Sequence, residues 1–284
     1  GATAAVAAVS SSSLIFLGTG CSTALPDTRC LIRPSTPPCA VCSTVLSLPP
    51  DRNPNYRLNS SLLIDYCHDD GAHKYILIDI GKTFREQVLR WFVHHNVPSI
   101  DSHADAVLGL DQVLIVQPRN DRDDIELIPF FLTQFTKGQV HPMLQIVPTR
   151  FPYLVEGKPE DGDEDARAAQ LVWKIIDGDV GKPFVSSGLE FVPLPGYICL
   201  GFLFGRRARV VYLSDLSRFV PSTEHGISKS GAGQLDLLIL EANILHEVCL
   251  DAIKRICPRR ALLTGMNHEF EHHRENHILA EWSC

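Results

Sequence analysis

The cysteines of this 284-residue chain are the first residues whose spacing could do chemistry. Cys39-x-x-Cys42 follows Cys30 by nine residues, inside a stretch from Cys21 to Asn55 that is rich in Pro, Ser and Thr and has no periodicity. A loop of that length in a compact domain needs something to pin it. Three thiols in such a loop point to a structural Zn²⁺. Far along the chain, Asn267-His268-Glu269-Phe270-Glu271-His272 offers two imidazoles one helical turn apart, and His272 is a candidate fourth ligand. Free loop thiols and a solvated helix end, with His273 and His277 nearby, are the plain alternative.

A second set of candidates is acidic. Asp79 in Ile78-Asp79-Ile80-Gly81, Asp215 in Leu213-Ser214-Asp215, and the His103/Asp105 pair in Ser102-His103-Ala104-Asp105 stand just past apolar, strand-like runs. A single Asp in such a place caps or turns the chain. Several together, with a His-x-Asp, suit a hard or borderline cation. His103 and Asp105 are two apart, so an extended segment points both side chains the same way.

The elements that must position these residues follow from the apolar pattern. Strands are predicted at Leu14–Leu17, Ser61–Asp65, Tyr75–Asp79, Phe130–Leu132, Leu144–Val147, Phe191–Leu194, Cys199–Phe204, Arg209–Leu213, Leu235–Leu240 and Ala261–Leu263. Helices are predicted over Phe84–His95, where apolar residues recur at helical spacing, over Val248–Ile256, and from Glu269 onward. Residues 1–13 read as a flexible N-terminus, 14–284 as one domain, and 156–169 as a solvated excursion. Alternating strands and helices in both halves describe a layered α/β protein. Hydrophobic residues make up 45% and charged residues 21%, enough for a sizeable core. A net charge of −7 without a dense Lys/Arg block argues against duplex DNA as a partner. No apolar run approaches the roughly 18 residues of a membrane span. Nine cysteines, an odd number, fit reduced thiols better than a disulfide scaffold. That places the protein in the cytoplasm, with an organelle stroma or matrix as the alternative.

Taken in order, Gly18-Thr19-Gly20, Cys30…Cys39-x-x-Cys42, Arg57-x-Asn59-x-Ser61, Ile78-Asp79-x-Gly81-Lys82, His103-Ala104-Asp105-Ala106-x-x-Gly109-Leu110-Asp111, Tyr212-x-Ser214-Asp215 and Gly265-Met266-x-His268 resemble the metallo-β-lactamase superfamily. The match spans about 14–282. It is most similar to the branch containing the bacterial cyclic-phosphate phosphodiesterase of phosphonate breakdown and its eukaryotic relatives. The resemblance implies an αββα sandwich and a hydrolase acting through a metal-bound hydroxide. It implies that His103, Asp105, Asp215 and His268 are ligands of Zn or Mn. Asp105 would also orient the nucleophilic water, and Asp215 would bridge two cations. Cys30, Cys39, Cys42 and His272 match a structural zinc site. A small cyclic or nucleotide-like phosphodiester is the implied substrate, and a homodimer is compatible with the branch.

The chain departs from the family pattern at three short places. Asp101 stands where the first His of His-x-His-x-Asp belongs, Pro193-Leu194-Pro195 is followed by Gly196-Tyr197 rather than His-Gly, and no Thr-His follows Leu240. Ala106 replaces the last His of the motif. Either site-lining residues are missing from the sequence at these junctions, or the first metal site is lost. In the second case the protein would be a zinc-stabilised, non-catalytic module.

Overall fold

The computed structural model describes residues 11–97, 179–195, 200–214, 219–243 and 246–283, together with the strands Ala104–Leu108, Pro129–Leu132 and Lys174–Ile176. Two six-stranded sheets form it. The first is built from β1 (Ser13–Gly18), β2 (Ser61–Cys67), β3 (His73–Ile78), β4 (Ala104–Leu108), β5 (Pro129–Leu132) and β6 (Lys174–Ile176), in that order. The second contains β7 (Phe184–Ser186), β8 (Leu189–Pro195), β9 (Leu200–Phe204), β10 (Val210–Leu213), β11 (Leu237–Glu241) and β12 (Arg260–Thr264), ordered β12-β11-β10-β9-β8-β7. β1 and β12 are therefore edge strands. β10, β11 and β12 run parallel, as do β3, β4, β5 and β6.

Side-chain alternation builds the layers. Along β2 and β3, Leu62, Ile64, Tyr66, Ile76 and Ile78 face the other sheet, whose Phe191, Phe202, Tyr212 and Ile239 meet them in the central core. Leu63 and Leu77 point the opposite way, onto Phe84 and Phe92 of α3. This helix begins at Phe84–Gln87, passes through a π turn at Val88–Phe92 and ends at Val93–His95. On the outer face of the second sheet, Val211, Leu213, Leu238 and Leu240 pack on Cys249 and Ile253 of α6 (His246–Ile256) and on Leu279 and Trp282 of α7 (His272–Trp282). α4 (Pro221–Ile227) and α5 (Lys229–Ala232) lie between β10 and β11 in sequence. A period of two with both faces apolar is what a sheet covered on each side requires. The result is an αββα sandwich.

Several expectations meet the structure here. The stretch Cys21–Asn55 holds two short helices, α1 (Thr28–Ile32) and α2 (Ala40–Val45). Asp27 caps the first by accepting the Arg29 N–H, and the Cys39 sulfur caps the second. β1 starts at Ser13, and the Ser12 hydroxyl accepts the Cys67 N–H. Residues 1–10, the predicted strand Leu144–Val147 and the charged excursion at 156–169 lie outside the described residues. No described cysteine is in a disulfide, and no described helix is long and apolar enough to cross a membrane.

Candidate metal centre and strand-end site

Three segments far apart in sequence meet around the loop thiols. β1 leads through Gly18-Thr19-Gly20, and Gly20 bridges both Asn59 and Met266. Gly18 tolerates no side chain, because a Cβ there would fall 2.1 Å from the Asn59 carbonyl oxygen. The segment after β12 turns at Gly265, which has φ +69°, and then runs across to the thiols. Arg57 fixes that segment. Its guanidinium donates to the carbonyls of Asn267 (3.2 Å) and Phe270 (2.7 Å) and to Asn55 Oδ1 (2.7 Å). Asn55 Oδ1 also accepts the His272 N–H, and Asn55 Nδ2 donates to Glu271 at 2.8 Å. Glu271 is the N-cap of α7, accepting from Arg274 N. The Asn55 amide and the helix N–H groups hold its carboxyl down at about 2, against the pull of desolvation. Burial lowers the Arg57 pKa.

This scaffold delivers Cys30, Cys39, Cys42 and His268 to one point, with all four ligand atoms within 4.8 Å of one another. His268 Nδ1 lies 3.1 Å from Cys30 Sγ and 3.5 Å from Cys39 Sγ. Zn–S bonds of about 2.3 Å and Zn–N bonds of about 2.0–2.1 Å require tetrahedral edges of roughly 3.5–3.8 Å. The residues fit such an ion in donor type and in spacing. Backbone N–H groups already point at the sulfurs, Asp27 N at Cys42 (3.3 Å) and Cys42 N at Cys39 (3.4 Å). Burial and the neighbouring thiols push the Cys42 thiol up to about 12, and burial first of all raises Cys30. At Cys39 burial acts the same way but is outweighed by the Cys42 N–H and the His268 ring, so its pKa falls. A divalent cation removes that conflict by neutralising thiolates that otherwise repel one another.

The structure brings His268, rather than His272, to the three thiols. The spacing argument assumed one helix carrying both imidazoles. The helix starts only at His272, after the Glu271 cap, so His268 sits on the preceding turn and faces the thiols. His272 Nε2 instead pairs with Asn276 Nδ2 at 3.0 Å. Asp27, Asn55 and Glu271 were missed as supports; an Asp three residues before a Cys was the one local signal for any of them.

A second group of polar residues stands where strands end. β3 runs into Asp79, which is buried at φ +63° and accepts the Tyr212 hydroxyl of β10 at 3.1 Å, joining the two sheets. β10 leads into Ser214, β11 ends on Glu241, and the register pairs Glu241 with Thr264. A Cβ on Gly265 would stand 2.6 Å from Glu241 Cγ, so these strand ends are tightly level. Beside them, burial and then the Glu241 charge push the Cys249 thiol up to about 11. Asp105 is not past a strand as expected. It lies inside β4, opposite Ile76 of β3, because Ala104–Leu108 is drawn into the parallel ladder. His103 and Asp215 lie outside the described residues, as do the junctions at Asp101-Ser102, Gly196-Tyr197 and Ile244-Leu245.

No protein-family model matches the sequence, and no curated protein gives a significant match. Solved structures do. The fold is similar to that of a diphosphatase from the PhnP family, with a TM-score of 0.62, 18% identity, and 94% of this chain and 90% of that one covered. It is also similar to Zn²⁺-bound PqqB from Methylobacterium extorquens, with a TM-score of 0.56, 12% identity and 94% of each chain covered. At these identities the likeness shows the fold alone, an αββα sandwich of the metallo-β-lactamase type.

Proposed function

We propose that the protein is a metal-dependent hydrolase of metallo-β-lactamase fold that acts on a small cyclic or nucleotide-like phosphodiester. The observation that supports this most is the strand-end edge. There, two sheets joined through Tyr212 and Asp79 bring Glu241 and the chain leading to Asp215 together. In this reading Cys30, Cys39, Cys42 and His268 hold a structural zinc. The site is closed, with four protein ligands, and pins the Cys21–Asn55 stretch to the segment after β12. In the same reading His103, Asp105 from within β4, and Asp215 hold Zn or Mn. Cations bound there would make a water more acidic and offset the charge that develops on phosphorus. Asp105 orients that water, and Asp79 steadies the edge through Tyr212.

The similarity to a PhnP-family diphosphatase supports phosphoester chemistry over the thiolester and β-lactam chemistry that the fold also carries. The departures at Asp101 and Ala106, together with the engagement of His268 at the thiols, favour a second reading, a zinc-stabilised module without catalysis. Elemental analysis and turnover separate the two. The hydrolase reading expects two to three metal ions per chain and Mn- or Zn-dependent hydrolysis of a 2′,3′-cyclic nucleotide, abolished by Asp215→Ala. A single zinc and no hydrolysis, or hydrolysis that survives Asp215→Ala, would overturn it.

A further inference from the structure

A groove of about 1170 Å³ runs along the open side of the sandwich, between the two edge strands β1 and β12 and under α6 and α7. It exceeds the roughly 300–1,000 Å³ of ordinary small-molecule pockets. Its walls carry six cations, Arg52, Arg57, Arg90, Lys254, Arg259 and Arg260, against two carboxylates, Asp51 and Glu275. On a chain with a net charge of −7 this is a local reversal of sign. Arg57 is spent on backbone carbonyls, Arg259 on Asp236 at 3.0 Å, and Glu275 is answered by Arg274 at 2.9 Å. Arg90 and Lys254 make no ion pair among the described residues. Instead each is held over aromatic rings. Arg90 lies 5.5 Å from the Tyr56 centroid and 5.6 Å from that of Trp91, and Lys254 lies 5.2 Å from that of Trp282. All three rings line the groove. Arg90 and Trp91 sit in the π turn of α3, a feature that recurs at functional sites. Among the described residues, Arg90 Nη2 and Trp91 Nε1 are buried and have no hydrogen-bond partner. Donors left so cost free energy until an acceptor arrives.

We propose that this groove binds single-stranded nucleic acid, its phosphates taken by Arg90 and Lys254 and its bases lying against Tyr56, Trp91 and Trp282. Cations fixed over rings are oriented in advance, so little side-chain entropy is lost when a phosphate docks. Half-buried rings lining the groove beside them suit unstacked bases, which a duplex does not offer and an acidic peptide lacks. The proposal does not rest on hydrolysis, because the groove lining includes none of Asp79, Asp105, Asp215 and Glu241.

Fluorescence anisotropy of a labelled 12-nucleotide RNA of mixed sequence, titrated with the zinc-loaded protein between 50 and 200 mM salt, tests it. A 12-bp duplex DNA and a Glu-rich peptide of equal charge serve as competing probes. The expected result is binding of the single strand alone, with log K falling against log salt at a slope of about −1.4, as two neutralised phosphates would give. Arg90→Ala and Lys254→Ala should each weaken it about tenfold. Lys254→Glu, on the exposed face of α6, carries the test if Arg90→Ala lowers the melting temperature. The proposal is overturned by absence of binding, by preference for the peptide or the duplex, or by an affinity that well-folded variants leave unchanged.

Discussion

Exchanging the two histidines tests the metal centre most sharply, because the structure and the helical spacing name different ligands. His268 Nδ1 stands 3.1 and 3.5 Å from two of the three sulfurs, whereas His272 is engaged with Asn276. His268→Ala leaves three sulfurs and an open position, beside a Cys42 thiol already pushed up to about 12 by burial. Losing a hydrogen-bond partner of a ligand typically costs 10–100-fold in metal affinity, so losing the ligand itself should cost more than about a hundredfold. If zinc saturates the native site a thousandfold above its Kd, the metal contributes about 4 kcal/mol to stability. At roughly 2–4 °C per kcal/mol for a protein of this size, chelation should lower Tm by about 10 °C. The assay is thermal unfolding with and without a strong chelator, read beside the absorption spectrum of the cobalt-substituted protein. Native protein and His272→Ala should show the chelator shift and a tetrahedral spectrum with three thiolates and one nitrogen. His268→Ala should melt low whether or not chelator is present and lose that spectrum. The reverse pattern, with His272→Ala losing the metal, would refute the placement of the segment after β12.

Three further outcomes are expected. Glu271 has a folded pKa of about 2 against an ordinary 4.5, so its stabilisation is complete above pH 4.5 and vanishes as pH falls through 2. The stability gap between native protein and Glu271→Gln, measured by urea unfolding, should therefore close between pH 5 and pH 2; a constant gap would count against the cap. Gly18→Ala puts a Cβ 2.1 Å from a backbone oxygen that cannot move freely, at a cost of about 3 kcal/mol. Gly71→Ala, at φ +83° with nothing within 4 Å, should cost only about 1 kcal/mol, and equal effects of the two would contradict the close approach of β1 to the Asn59 segment. Tyr212→Phe removes a donor from the buried Asp79 carboxylate and should cost about 2 kcal/mol in chemical denaturation; a loss below about 0.5 kcal/mol would mean that this bridge does not join the sheets.

What could be read from the residues alone divides along a physical line. β2, β3, β10 and β11 were legible because each is buried on both faces, and an unbroken apolar run has few other homes. The helix over 84–95 was legible from its spacing, but its π turn was not, since one extra residue in a turn leaves the apolar period almost intact. β4 was hidden because Ala104-Asp105-Ala106 has weak strand propensity, and its pairing with β3 decides its conformation. α1 is five residues long and buries no side chain, and α2 is six residues long and buries only Val41, Cys42 and Val45, too short a pattern to show a helical period. The choice between the histidines was hidden for a related reason. Ligand types are local and visible in Cys39-x-x-Cys42, whereas the identity of the fourth ligand depends on where the chain turns. That turn is set by the positive φ of Gly265, the bridge from Met266 to Gly20, and the Arg57–Asn55–Glu271 network that starts α7 three residues later than the sequence reading. Each of those three controls lies on a different segment, so residues 267–272 alone could not contain the answer. The same argument explains why Arg57 is buried at a cost: it donates to three separate acceptors that fix the metal-binding turn, and no apolar residue could replace it there.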